Sequence, residues 1–322
     1  MSEVDALPSW NDGPAKAAIL EFVRTTTQPT SPQFVAEDDR IATFDQDGTL
    51  WVEHPAYAQL AFALDRLAEL APQHPEWNDT EPFKSALTEG IGAVSKFTME
   101  DLLAVVSASH TGMTTDDFER IVASWLADAR HPRWNRRYIE LIYQPMLELM
   151  RYLEVNGFKT YIVTGGGQAF VRAYAQAVYN TPPERVIGSS LETQFDYDAN
   201  GTGILMRPPK LLLVNDNAGK PQDIYLFLGR RPLAAFGNST GDKEMLEYTQ
   251  SGGGARFETL VLHDDETREY AYGPGSAHAD TKFGAFTQAL ADTAKANGWL
   301  VVSMKNDWKR IFPFEPVSSA LP

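Results

Sequence analysis

Two aspartates one residue apart close an apolar run, since residues 41–49 read Ile-Ala-Thr-Phe-Asp-Gln-Asp-Gly-Thr. In a strand, side chains i and i+2 point to the same face. Asp45 and Asp47 therefore reach one site at the strand's carboxyl end, where open α/β sheets bind their ligands. Gly48 accepts turn conformations that other residues resist, and Thr49 adds a hydroxyl and an N–H. Two carboxylates, a turn and a hydroxyl suit metal-assisted phosphoryl transfer. The same residues would also make an Asx turn that merely caps a strand.

Three further places repeat the pattern of strand, polar turn and helix. Thr164 follows Tyr161-Ile162-Val163 and precedes Gly165-Gly166-Gly167. A hydroxyl and free N–H groups there form an anion cradle, or else a plain Gly-rich turn. Lys220 stands in Asn217-Ala218-Gly219-Lys220-Pro221 at the mouth of a helix, where a cation opposes the dipole, although most lysines are simply solvated. Phe236-Gly237-Asn238-Ser239-Thr240-Gly241-Asp242 brings hard oxygen ligands, Asn238 and Asp242, suited to Mg²⁺. A helix-cap role is the alternative for Asp242. Four modest signals in one order weigh more than any of them singly.

The elements around these residues follow from periodicity. Residues 14–25 are helical, and 41–45 form the first strand. From 56 to 154 the pattern is helical, with segments at 57–71, 99–108, 115–128 and 136–154. After 157 strands appear at 158–163, 186–187, 211–214, 233–236, 257–263 and 299–303, and 191–206 reads as a hairpin turning at Asn200-Gly201. Helices are expected at 167–179, 221–229, 241–250 and 280–297. Alternating strands and helices imply an α/β fold with a doubly wound, Rossmann-like parallel sheet. The helical block, residues 56–155, reads as a domain inserted into a core made of residues 1–55 and 156–322.

A chain of 322 residues can bury a sizeable core. Its net charge of −15 and pI near 4.8 argue against a nucleic-acid partner held by phosphate contacts. An anionic substrate would need local positive charge or a metal. The absence of cysteine excludes disulfides, thiolate metal sites and cysteine nucleophiles. No stretch reaches the ~18–20 apolar residues of a membrane span, so no membrane partner is expected. The acidic start, Met-Ser-Glu-Val-Asp, lacks the apolar core of a secretory signal. The cytoplasm is the default compartment, with the periplasm or the exterior open if a signal was trimmed.

The order of these motifs resembles the haloacid dehalogenase superfamily, in its phosphatase branch and most closely its phosphoserine-phosphatase-like members. The first motif is Asp45-Gln46-Asp47-Gly48-Thr49, the second Thr164-Gly165-Gly166, the third Lys220, and the fourth Gly237-Asn238-Ser239-Thr240-Gly241-Asp242. The resemblance implies that the inserted helices form a cap. It implies Asp45 as nucleophile, giving an aspartyl-phosphate, and Asp47 as general acid and then base. Thr164, Gly165 and Lys220 would hold the phosphate. Mg²⁺ would be bound by Asp45, the Asp47 carbonyl and Asn238, with Asp242 orienting the metal shell or Lys220. Asn238 departs from the aspartate common in relatives, leaving one negative charge fewer.

On that resemblance the expected activity is Mg²⁺-dependent hydrolysis of a small-molecule phosphate ester. The acid/base carboxylate at Asp47 favours ester hydrolysis over the ion-pumping and dehalogenating branches. Alternative readings are a phosphocholine, phosphoethanolamine or broad-specificity acid phosphatase, phosphoryl transfer to another alcohol as in mutases, and a non-catalytic binding module. Glu53 and His54 fall close to where phosphoserine phosphatases read the substrate's ammonium, one residue out of register for Glu53, which reads equally as a solvated loop acid. Trp51, Tyr57 and Trp77 either line a pocket or pack the helical block. His263 beside Asp264 and Asp265 reads as a strand end before an acidic turn rather than a second metal site. Trp308, Lys309 and Arg310 in the tail 304–314 either pack on the core or line the entrance.

Overall fold

The structure, a computed structural model, describes residues 5–279 and 281–316. A seven-stranded sheet runs through the molecule in the order β6-β3-β2-β1-β7-β8-β9. Its strands are β1 (Ile41–Phe44), β2 (Lys159–Gly167), β3 (Val186–Leu191), β6 (Leu211–Leu213), β7 (Ala234–Gly237), β8 (Phe257–Leu262) and β9 (Leu300–Ser303). All neighbours are parallel except β6, which runs antiparallel to β3 at one edge. A separate hairpin, β4 (Gln194–Tyr197) with β5 (Gly203–Met206), joins β3 to β6. No helix intervenes between β3 and β6, and a parallel return needs a crossover. The strand expected at 211–214 is therefore an antiparallel edge.

The sheet is the doubly wound, Rossmann-like one that the alternating pattern implies. β1 is central and all four of its residues are buried, as parallel strands covered on both faces require. Alternation sorts the strand residues between two cores. Ala42, Phe44, Ile162 and Phe236 face one, with α1 (Pro14–Thr27), α7 (Gln144–Val155) and α8 (Gln168–Tyr179). Val163, Ile187, Ala235 and Leu260 face the other, with α9 (Gly219–Leu228), α10 (Lys243–Gln250) and α11 (Gln288–Asn297). A last short helix, α12 (Met304–Asp307), follows β9.

Between β1 and β2 come α2 (Ala58–Leu70), α3 (Phe83–Glu89), α4 (Ile91–Val94), α5 (Met99–His110) and α6 (Thr115–Asp128). Leu60, Leu64 and Leu67 on one face of α2 join Trp77, Ala86, Val94 and Val105 in a cluster of their own. The opposite face carries Phe62 into the main core beside Phe118, Val122 and Leu126 of α6. The helix expected over 136–154 starts only at Gln144, because Pro145 fixes the first turn and cannot continue a preceding helix. α11 likewise begins at Gln288, capped by Thr287. Asp280, where that helix was expected to start, lies outside the described residues, as do residues 1–4 of the acidic start. No described helix is long and apolar enough to cross a membrane.

The chain runs outward from β1 to β3 on one side, then returns to pair β7 on the other side of β1. The carboxyl end of β1 is thus the switch point of the sheet, where a crevice opens between diverging connections.

Candidate active site

Asp45 is the first residue after β1, anchored there by its N–H, which donates to the Phe236 carbonyl at 2.8 Å. The chain then reverses sharply. Gly48 sits at φ +76°, and its N–H bonds the Trp51 carbonyl at 2.9 Å. A side chain at Gly48 would overlap Asn238 and Glu53, so only glycine fits. The reversal turns Thr49 back, so that Thr49 Oγ1 donates to Asn238 Oδ1 at 3.1 Å and lies 3.5 Å from Asp45 Oδ2. Beneath it, His263 Nε2 donates to the Gly48 carbonyl at 2.7 Å while Nδ1 pairs with Glu269 at 2.9 Å. His263 is fully buried in this role, a support for the loop.

Lys220 reaches the same place from the first turn of α9. Its Nζ donates at 2.6 Å to Asp45 Oδ1, at 2.6 Å to Asp242 Oδ1 and at 3.0 Å to the Val163 carbonyl. All three ammonium protons are engaged, and the residue is 2 % exposed. Asp242 uses its other oxygen, Oδ2, to accept from the Asn238 and Ser239 N–H groups at 2.9 and 3.0 Å. Protein donors thus occupy both Asp242 oxygens, and the residue stands behind Lys220 and Asn238 as their support.

Thr164 Oγ1 accepts from the Gly166 N–H at 3.0 Å, folding the second motif on itself. The Thr164 carbonyl accepts from Asn215 Nδ2 at 2.8 Å. Gly165 is exposed at the mouth of the site. Asp47, only half-buried, faces this loop, and a Cβ on Gly166 would lie 3.7 Å from Asp47 Oδ2. Its other oxygen, Oδ1, accepts from the Trp51 indole N–H at 2.7 Å. Trp51 is itself locked by a stack on Tyr174 at 4.9 Å. It neither lines an open pocket nor only packs. Trp77, in contrast, stacks between His74 and Phe83 in the helical block.

Glu53 and His54 also lie here. Glu53 Oε1 accepts from Asn238 Nδ2 and from Tyr272 Oη, each at 2.6 Å. The His54 ring packs on Tyr272 at 4.1 Å, with Nε2 donating to the Phe283 carbonyl at 3.2 Å. The Tyr57 hydroxyl accepts from the Gly284 N–H at 3.3 Å. In the tail, Trp308 packs on the core against Trp10 and Tyr143.

The helical block touches the second motif through Gln59 of α2. Gln59 Oε1 accepts from the Gly167 N–H at 2.7 Å, and Nε2 donates to His110 Nε2 at 3.0 Å. His110 Nδ1 then donates to Ser109 Oγ at 2.7 Å, and Ser109 donates to the Val105 carbonyl. The chain of donors fixes one neutral tautomer. Burial, with the Arg207 charge nearby, pulls His110 down to about 3, so it stays neutral.

Burial and the neighbouring Asp242 charge push the Asp45 carboxyl up to about 8, against the pull of Lys220. Burial raises Asp47 to about 6, less the help of the Trp51 hydrogen bond and Lys220. Glu53 is driven well above the usual carboxylate range by burial, with the Asp47 and Asp45 charges adding to it. Burial alone would lower Lys220, but the charges of Asp242 and Asp45 hold the ammonium above its ordinary value. Asp45 and Asp242 thus share the one ammonium, with the Asp47 and Glu53 carboxyl groups close by. That excess of negative charge in a buried place fits a further cation. The donors fit one as well. Asp45 Oδ2 and Asn238 Oδ1 converge at Thr49, and the Asp47 carbonyl accepts no hydrogen bond among the described residues. An all-oxygen set of this kind suits Mg²⁺. Among the described residues no group of three His, Cys, Asp or Glu side chains could hold a metal, so any cation here relies on the amide and the carbonyl.

The structure therefore brings Asp45, Asp47, Thr164, Lys220, Asn238 and Asp242 together, with Glu53 packed against them. Gln59, Asn215, Tyr272 and the donor role of Trp51 were not expected from the sequence. The partners of Gln59, Asn215 and Tyr272 are remote in the chain, Trp51 meets Asp47 only because the turn at Gly48 folds it back, and nothing in their local pattern announces a role.

A family model of the haloacid dehalogenase-like hydrolases matches residues 42–247. Among solved structures, a protein of unknown function from Anaerococcus prevotii is similar at a TM-score of 0.55 and 15% identity, over 89% of this chain and 90% of that one. A protein of unknown function from Bordetella pertussis follows at 0.49 and 14%, over 82% and 97%. Cytosolic 5′-nucleotidase IIIB bound to cytidine gives 0.44 and 13%, over 89% and 84%. At such identities the likeness concerns the fold alone. No curated protein matches the sequence.

Proposed function

The chain belongs to the haloacid dehalogenase-like hydrolases, and we propose that within this family it is a phosphomonoesterase acting on a small-molecule phosphate ester. The observation that carries this reading is the buried contact of Lys220 with Asp45 at the sheet's switch point, 2.6 Å long, beside a second carboxylate with a distinct environment. Asp45 attacks phosphorus, the bond from phosphorus to the ester oxygen breaks, and Asp47 gives its proton to the leaving alcohol. Water then attacks the aspartyl-phosphate, Asp47 takes the water's proton, and phosphate departs with Asp45 regenerated. Splitting one displacement into two lowers each barrier.

Asp47, raised to about 6, titrates just below neutrality, so both its protonated and ionised forms are accessible, as a residue in both roles needs. Lys220, Thr164 and the amides after it stabilise charge on the transferring group. Asp45, the Asp47 carbonyl and Asn238 would hold Mg²⁺, which would offset the repulsion between the carboxylates and the phosphate. The helices α2–α6 serve as the cap that selects the leaving group, with Glu53 and His54 at its base.

Phosphate release from p-nitrophenyl phosphate in excess Mg²⁺ tests the reading. Asp45→Asn is expected to lower it by at least about a thousandfold, as loss of a nucleophile does. Undiminished release would overturn the assignment. A panel of phosphorylated metabolites would then name the ester.

A further inference from the structure

Glu53 occupies a space that two separate segments leave for it. A Cβ on Gly48, at φ +76°, or on Gly284, at φ +60°, would overlap the Glu53 carboxyl group. Inside that space Oε1 accepts from Asn238 Nδ2 and from Tyr272 Oη, both at 2.6 Å. Both hydrogen bonds to Oε1 are donated to it, so the group facing it is the NH₂ of Asn238 and not its oxygen. The remaining end, Asn238 Oδ1, accepts from Thr49 Oγ1 beside Asp45. Asn238 is fully buried.

A carboxamide at a cation position carries a hazard that a carboxylate does not. Its oxygen attracts a cation and its NH₂ repels one, and half a turn about the last bond exchanges them. We infer that Glu53 is a positioning residue for the cation, holding the Asn238 amide so that Oδ1, and never Nδ2, faces Asp45. Tyr272 fixes Glu53 in turn. The inference rests on the Mg²⁺ reading above. It assigns Glu53 inward, to the metal side of the site, rather than to the substrate's ammonium. Glu53 and Asn238 together then do what a single aspartate would do, with the carboxyl group moved one position outward.

Titration calorimetry with MgCl₂, and melting in EDTA, on the wild type and three variants test this. In Glu53→Gln the facing amide can turn either way, and Mg²⁺ affinity is expected to fall at least tenfold. Asn238→Asp sets two carboxyl groups against each other, and its melting temperature in EDTA is expected to drop by several degrees. The pair Glu53→Gln with Asn238→Asp exchanges amide and carboxyl, and should recover both melting and affinity. Wild-type affinity in Glu53→Gln, or unchanged melting in Asn238→Asp, would overturn the inference while leaving the hydrolase reading intact. A wild type that takes up no Mg²⁺ would remove the cation reading and this inference with it.

Discussion

The Trp51 indole donates a 2.7 Å hydrogen bond to Asp47 Oδ1, four residues back across the turn. This contact favours the charged form of Asp47 and so lowers its pKa. Trp51→Phe keeps a ring to stack on Tyr174 but removes the donor. Asp47 then moves up from about 6 by about one unit, the worth of one hydrogen bond to a charged group. The first half-reaction needs Asp47 protonated. The alkaline fall of kcat/KM on an alkyl phosphate is therefore expected at higher pH in the variant. An unmoved or acid-shifted limb would contradict the role given to Asp47.

Asp45 titrates at about 8 when folded against an ordinary 3.8. Between those values the folded state holds more protons than the unfolded one, so stability falls as pH rises through that window. The buried His54, at about 4, and His131, at about 4, act in the opposite sense at lower pH. The measure is thus the difference between wild type and Asp45→Asn. In EDTA the variant is expected to melt a few degrees above the wild type at pH 8, with the gap closing towards pH 4. Mg²⁺ should stabilise the wild type and leave the variant nearly unmoved. A gap that stays constant with pH would count against this account of Asp45.

Lys220 is the only cation within bonding distance of Asp45 and Asp242 among the described residues. Lys220→Met leaves two buried carboxyl groups without a counter-ion, and the expected loss is about 3–5 kcal/mol of stability, with no measurable turnover. Lys220→Met combined with Asp242→Asn should regain part of the stability and none of the activity. Chemical denaturation of the two variants reads this directly.

Gln59 links the helical block to the second motif through Gly167. Gln59→Leu keeps the volume and orphans the Gly167 N–H, a cost of about 1–3 kcal/mol if the amide stays out of water. On Asp47's side of the loop that displacement is expected to lower kcat/KM about tenfold. The variant should also show faster hydrogen exchange at Gly166 and Gly167, with exchange in β1 unchanged.

The site was legible in the sequence where its residues follow strand ends. Asp45 and Asp47 directly follow the end of an apolar strand, and Lys220 and Asn238 stand at the turns that an alternating α/β pattern must place on the same edge. What the sequence could not carry were pairings of distant residues with ordinary local settings. Gln59 sits in an apolar helix with nothing to mark it, yet meets Gly167 across 108 positions. Glu53 resembles a solvated loop acid until Asn238, 185 positions on, closes over it. The parallel sheet was readable from its rhythm. The antiparallel turn of β6 was not, because strand periodicity carries no direction.

β1 is made early and lies at the centre of the sheet. One of its two neighbours, β7, pairs Ala42 with Ala234. On a ribosome adding ~5–20 residues per second, that edge waits roughly ten to forty seconds for its partner. Through most of this interval Asp45 has no Lys220 beside it, and a strand buried at all four positions in the finished fold offers a free row of backbone donors and acceptors. The growing chain is thus most exposed to mispairing at the strand that later carries the chemistry. Its need for protection during synthesis is set by where the nucleophile was placed in the order of the chain.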